Sequence, residues 1–149
     1  MPLTSDAVYL EKKVPHGPEF PHTVASGVKV FRGSLCVVCD DGTVVLPQTA
    51  SPASPMVAIV GLADRQVDNT GSSGLAPAVG IAPSLWPQKG CWALTFDTAP
   101  TWASVGEPVY AVDDATVSLT ETPSGGTARL EVGTIAGIDE AGNAFVLIS

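Results

Sequence analysis

Apolar residues in this chain come in short runs, and nearly every run is closed by glycine, proline or a pair of aspartates. Runs of this length bounded by turn residues read as strands. Ten strands are expected, at residues 28–31, 35–39, 43–46, 56–63, 78–82, 91–97, 109–112, 116–120, 129–138 and 144–148. Asp40-Asp41-Gly42 and Asp113-Asp114 supply hairpin turns. Residues 47–55 and Asp68 to Gly74 read as loops. Leu3 to Val14 reads in two ways, as a two-turn helix capped by Ser5 or Asp6 or as a strand-like arm, and Val14-Pro15 ends either one. Residues 15–23 hold three prolines and read as an extended connector lying on a surface. The chain divides into an arm and connector, 1–23, and a single β-domain, 24–149.

One segment occurs twice. GSLCVVCDDGTVVL at 33–46 aligns without gaps on GEPVYAVDDATVSL at 106–119, pairing Gly33 with Gly106, Asp40-Asp41 with Asp113-Asp114 and Leu46 with Leu119. Val60-Gly61 and Val132-Gly133 follow at almost the same offset. Two readings stand: two related hairpin modules, about 28–63 and 101–138, or two independent hairpins that share turn chemistry.

Composition sharpens the picture. Gly 15 and Pro 13 in 149 residues exclude a helical bundle, and 45% hydrophobic content is enough for a core. The fold class is all-β. The net charge of −8 opposes a phosphate backbone, so direct nucleic-acid binding is not expected. Residues 1–35 are near neutral and residues 36–149 carry almost all of the negative charge. The longest apolar run, 56–63, is far too short to span a bilayer, and no charged start precedes an apolar stretch, so a soluble protein made in a cytoplasm and independent of membranes is expected.

Candidate chemistry is sparse. Cys36 and Cys39 form a CxxC, but three residues apart on a strand they point to opposite faces, so they read as buried hydrophobes and not as metal ligands. His16 and His22 lie in the proline-rich connector, and the acidic pairs 40–41, 113–114 and 139–140 read as turn caps. EF-hand, P-loop and dinucleotide motifs are missing. Gly137 to Asn143 loosely resembles a segment of trimeric dUTPase-like nucleotide hydrolases, without that family's tyrosine or its serine motif. No catalytic residue, cofactor or metal is expected.

Taken in order, several segments resemble the capsid decoration, or head cement, proteins of tailed bacteriophages, Mu-like and related. They are Val28 to Leu35, Asp40 to Val44, Val60 to Ala63 with Val67 to Gly71, Val105 to Val117, and Val132 to Ile135 with Asn143 to Ile148. The chain departs from that family at residues 81–96. The resemblance implies a small β-barrel or β-tulip-like domain of short antiparallel strands with an extended N-terminal arm. It implies a non-enzymatic virion protein on the outer capsid surface, made in the bacterial host cytoplasm, whose partners are the major capsid protein and other copies of itself as a dimer or trimer. The arm residues Leu3, Val8, Tyr9, Leu10, Lys12 and Lys13 are then candidates for gripping the capsid, with a first barrel strand as the other reading of the same segment. Of Trp86, Trp92 and Trp102, two are expected in the core and one at an interface, with Trp86 and Trp92 the candidates for a capsid or oligomer contact. A carbohydrate-binding or adhesion β-sandwich is the alternative from a different class.

Overall fold

A computed structural model describes residues 1–12, 19–71 and 83–149, with only the backbone of Glu11 and Lys12. The strands are β1 Glu11–Lys12, β2 His22–Thr23, β3 Lys29–Val30, β4 Leu35–Cys39, β5 Val44–Val45, β6 Met56–Ala63, β7 Val67–Asp68, β8 Ser84–Leu85, β9 Pro87–Gln88, β10 Gly90–Ala93, β11 Thr95–Phe96, β12 Pro108–Ala111, β13 Thr116–Ser118, β14 Glu131–Ile138 and β15 Ala144–Ile148. A single 3-10 turn, Trp102–Ser104, is the helical element among the described residues. The chain is all-β, its sheets curled into half-barrels. No described helix is long and apolar enough to cross a membrane. The arm is extended as far as Lys12, which removes the helical reading of its start, and the expected strand 78–82 lies outside the described residues.

Two sheets carry the fold. One is four-stranded, β5-β4-β6-β9; the other is seven-stranded, β1-β10-β15-β14-β12-β13-β11. The order β13-β12-β14-β15 within the second matches the whole of the first, and the match extends to register. Val37↔Val45 and Val38↔Val44 correspond to Tyr110↔Ser118 and Ala111↔Val117. Leu35↔Leu62, Cys36↔Gly61 and Val37↔Ile59 correspond to Pro108↔Thr134, Val109↔Gly133 and Tyr110↔Glu131, with a β-bulge at the same step, Cys36/Val37 and Val109/Tyr110. Leu62↔Gln88 and Ala63↔Pro87 correspond to Thr134↔Leu147 and Ile135↔Val146.

The edges correspond as well. Val24 bridges Val44 in parallel as Phe96 pairs Val117, with Ala25 N–H donating to Val44 O and Asp97 N–H to Val117 O, each at 2.9 Å. His22↔Leu85 and Thr23↔Ser84 fall, by the same offsets, one step beyond Ala93↔Phe145. Residues 22–25, β4–β6 and 84–88 form a first unit, and 94–97, β12–β14 and 143–147 a second. Bulges are specific local devices, and a bulge repeated at the same step favours two related modules over two chance hairpins. The units reach well beyond the hairpins in which the sequence shows the likeness.

A close approach explains one shared residue type. A Cβ on Gly61 would fall against the backbone carbonyl of Gln88, and one on Gly133 against that of Leu147. These are equivalent neighbours, so each unit needs a glycine where its third strand passes its fourth.

The interior follows the same plan. Val24, Cys36, Val44 and Ala63 pack the first unit with Val30, Val67 and Leu85. Their counterparts Phe96, Val109, Val117 and Ile135 pack the second with Trp92, Val146 and Ile148, and Leu35 and Leu62 from the first unit close that cluster. β4 is buried along nearly its whole length because both of its faces meet core.

Candidate functional site

The arm runs back over the body. Ala7 N–H donates to Arg32 O at 2.8 Å, Arg32 N–H donates to Asp6 Oδ1 at 3.0 Å, and Ala93 N–H donates to Leu10 O at 2.8 Å. Beyond Leu10, β1 pairs antiparallel with β10, Glu11↔Trp92 and Lys12↔Cys91. The arm is therefore an edge strand of the larger sheet, while Val8 and Leu10 remain 80% and 60% exposed.

Its first residues end on two aspartates. The Met1 ammonium lies 2.8 Å from Asp113 Oδ2, and Asp113 Oδ1 also accepts from Ala115 N–H and Thr116 N–H. Burial acts to raise the Asp113 pKa, but the ammonium, the two amide donors and the positive charge together outweigh it and hold this carboxyl below its ordinary 3.8. Asp114 is wholly buried; it accepts from Ser34 Oγ at 2.7 Å, Gln48 Nε2 at 2.9 Å and Leu3 N–H at 3.1 Å, and its carbonyl accepts from Leu35 N–H at 2.8 Å. One residue of the second unit thus holds the arm and two parts of the first. Burial first, then the charges of Asp114 and Asp113, pushes the Tyr9 phenol up.

The equivalent pair in the first unit behaves differently. Asp40 and Asp41 are exposed, and Asp41 Oδ1 caps its own turn through Thr43 Oγ1 at 2.6 Å and Thr43 N–H at 3.0 Å. The Thr43 hydroxyl, then its amide, lowers the Asp41 pKa. Reading every acidic pair as a turn cap is therefore right for Asp41 and Asp139 and incomplete for Asp114, which ties distant segments together.

The tryptophans correct the expectation of two buried and one exposed. Trp92 is 7% exposed and sits in the core of the second unit, because β10 turns it inward against β15, so it offers no surface to a partner. Trp86 and Trp102 are 44% and 68% exposed. Trp102 lines an open groove of about 1100 Å³ together with residues 136–141, Cys91 and Phe145. This groove carried no signal in the sequence beyond the presence of a tryptophan.

The remaining candidates fall as follows. Leu3 is half-buried, Val8 and Leu10 face solvent, the side chain of Lys12 is not described, and Lys13 and His16 lie outside the described residues. His22 Nδ1–H donates to Gly42 O at 3.2 Å. Cys36, Cys39 and Cys91 are buried and form no disulfide, and burial raises the Cys36 and Cys39 thiols, which suits small hydrophobes. Among the described residues no group of His, Cys, Asp and Glu is arranged to hold a metal ion. Comparison with protein-family models, curated proteins and solved structures found no match.

Proposed function

We propose that this protein decorates the outer surface of a bacteriophage head, binding the assembled shell of major capsid protein and stabilising it, in company with other copies of itself. The observation that carries this reading is the arm. Its backbone is fixed to the body by hydrogen bonds from Leu3 to Lys12, yet Val8 and Leu10 project apolar side chains into solvent from an acidic protein. Side chains held out on an ordered strand lose little further entropy when they meet a partner. A shell repeats the same site many times, so modest contacts per copy add up through avidity. The resemblance of the sequence pattern, from Val28-Lys29-Val30-Phe31 to the closing strand, to head decoration proteins supports the same reading.

The test mixes purified protein with undecorated heads and measures co-sedimentation and the temperature of shell rupture. Binding and a raised rupture temperature are expected, with both effects reduced in a Val8→Asp, Leu10→Asp double variant that unfolds at the wild-type temperature. Absence of binding by the wild-type chain refutes the proposal.

The second reading, a carbohydrate-binding or adhesion module, draws on the exposure of Trp86 and Trp102, since flat aromatic faces stack on sugar rings. Glycan-array binding that is lost in Trp102→Ala would favour it over decoration.

A further inference from the structure

The two units part company at one place. In the first unit the chain leaves β6 after Ala63, and β7 returns to pair with β3, Lys29↔Asp68 and Val30↔Val67. Val30 is thereby sealed at 0% exposure. In the second unit Trp102 stands where the first has Lys29–Val30, and Asp139–Glu140 fall at the offset of β7. Here, however, β14 runs straight on into a hairpin with β15, Gly137↔Phe145 and Ile138↔Ala144. Among the described residues no counterpart of β7 covers Trp102, and the groove is what remains.

β14 lines that groove and runs on past the end of its pairing with β12. β14 is paired with β12 from Glu131 to Thr134 and linked to it at Ile135 through Gly106 N–H and Glu107 O. Beyond Ile135, no described strand lies on that side of Ala136, Gly137 and Ile138. A Cβ on Gly137 would meet nothing within 4 Å, so the face of the strand is uncovered there as well. An unpaired edge beside an exposed aromatic is the arrangement that accepts an added strand. The carboxylates of Asp139 and Glu140 at the rim, on a chain of net charge −8, select a positively charged one.

We propose that this groove receives an extended, basic polypeptide segment of a partner protein, which pairs with the edge of β14 at Ala136–Ile138, lays an apolar side chain on Trp102 and places Lys or Arg beside Glu140. The segment covers Trp102 as β7 covers Val30 in the first unit. Naming the partner as the shell protein rests on the proposed function; the strand site itself does not, and its test needs no capsid.

The test is a random-decapeptide display selection on the full-length protein, counter-selected against Trp102→Ala. Both Trp102 and Glu140 are exposed, so Trp102→Ala and Glu140→Lys variants keep the fold, as their melting temperatures will show. Enriched clones should be rich in Lys and Arg, poor in proline, and alternate polar with apolar residues. Each variant should weaken a selected peptide by about tenfold, the aromatic by lost contact area and the carboxylate by lost charge pairing. Amide exchange at Ala136–Ile138 should slow by about tenfold or more in the complex, which a purely side-chain contact would not produce. Failure to enrich any clone over the Trp102→Ala background, acidic or proline-rich winners, or unchanged exchange at Ala136–Ile138 overturns the proposal. Self-association of the free chain that Trp102→Ala abolishes also overturns it, in favour of a second copy as the occupant.

Discussion

Replacing Asp114 by Ala tests whether one buried carboxylate holds the two units and the arm together. The substitution removes the acceptor of Ser34 Oγ, Gln48 Nε2 and Leu3 N–H at a position solvent does not reach. A hydrogen bond to a charged acceptor contributes about 1.5–3 kcal/mol, and a buried donor left without a partner costs about 1–3 kcal/mol. Ser34 is itself buried and loses its partner outright, whereas Leu3 and Gln48 are close enough to solvent to recover part of theirs from water. The expected loss is about 3–5 kcal/mol, the range found when one member of a buried polar set is deleted. For a chain of this length each kcal/mol moves the midpoint by about 2–4 °C, so Asp114→Ala should melt about 6–20 °C lower. Thermal unfolding followed by near-ultraviolet circular dichroism measures this. Amide exchange at Ala7 and Ala93, whose N–H groups donate to Arg32 O and Leu10 O, reports on the arm, and protection there should fall with the midpoint. If Asp114→Ala does not fold, Ser34→Ala and Gln48→Ala each delete one donor and should cost about 1–2 kcal/mol. A midpoint within about 2 °C of wild type with arm protection unchanged would refute the reasoning.

Three further outcomes are expected. Gly133→Ala should cost about 1–3 kcal/mol or more because its methyl meets the Leu147 carbonyl; a urea midpoint equal to wild type would show that the two strands can part at no cost. Asp113 has a depressed folded pKa, so its contribution is present above the unfolded carboxyl value near 4 and is lost as pH falls through the folded value; Asp113→Asn should therefore flatten the acid limb of stability against pH, and an unchanged limb contradicts the assignment. Trp92→Ala should destabilise by about 3–5 kcal/mol while Trp86→Ala and Trp102→Ala each stay within about 1 kcal/mol, so equal losses in calorimetry for all three would refute their placement.

What could be read in advance was what local pattern encodes. The strands at 35–39, 56–63 and 144–148 were legible to the residue because each is a run of apolar or β-branched residues closed by turn chemistry. The two-residue strands β2, β7, β8 and β9 were not, since two residues carry no periodicity and their pairing is decided by the register of distant partners. The hairpin likeness was visible over fourteen residues, but Val24 with Phe96 and Pro87 with Val146 share no residue type, so only the ladder could show how far it extends. Asp40-Asp41 and Asp113-Asp114 are the same dipeptide at the same turn. One pair is solvated and the other buried, because the arm and Ser34 arrive from elsewhere in the chain to cover the second. Trp102 likewise reads as core by type and is left open because, among the described residues, no strand covers it as β7 covers Val30.

The duplicated plan would by itself create two seats for a single arm, since the residues that flank β9 in the first unit stand where β10 flanks β15 in the second. At the seat that is used, Ala93 N–H donates to Leu10 O. Its counterpart in the first unit is Pro21, which has no N–H to donate. The arm of a neighbour laid at Pro21 would lack this bond, which weakens one route by which a duplicated protein at high local concentration would string itself into aggregates.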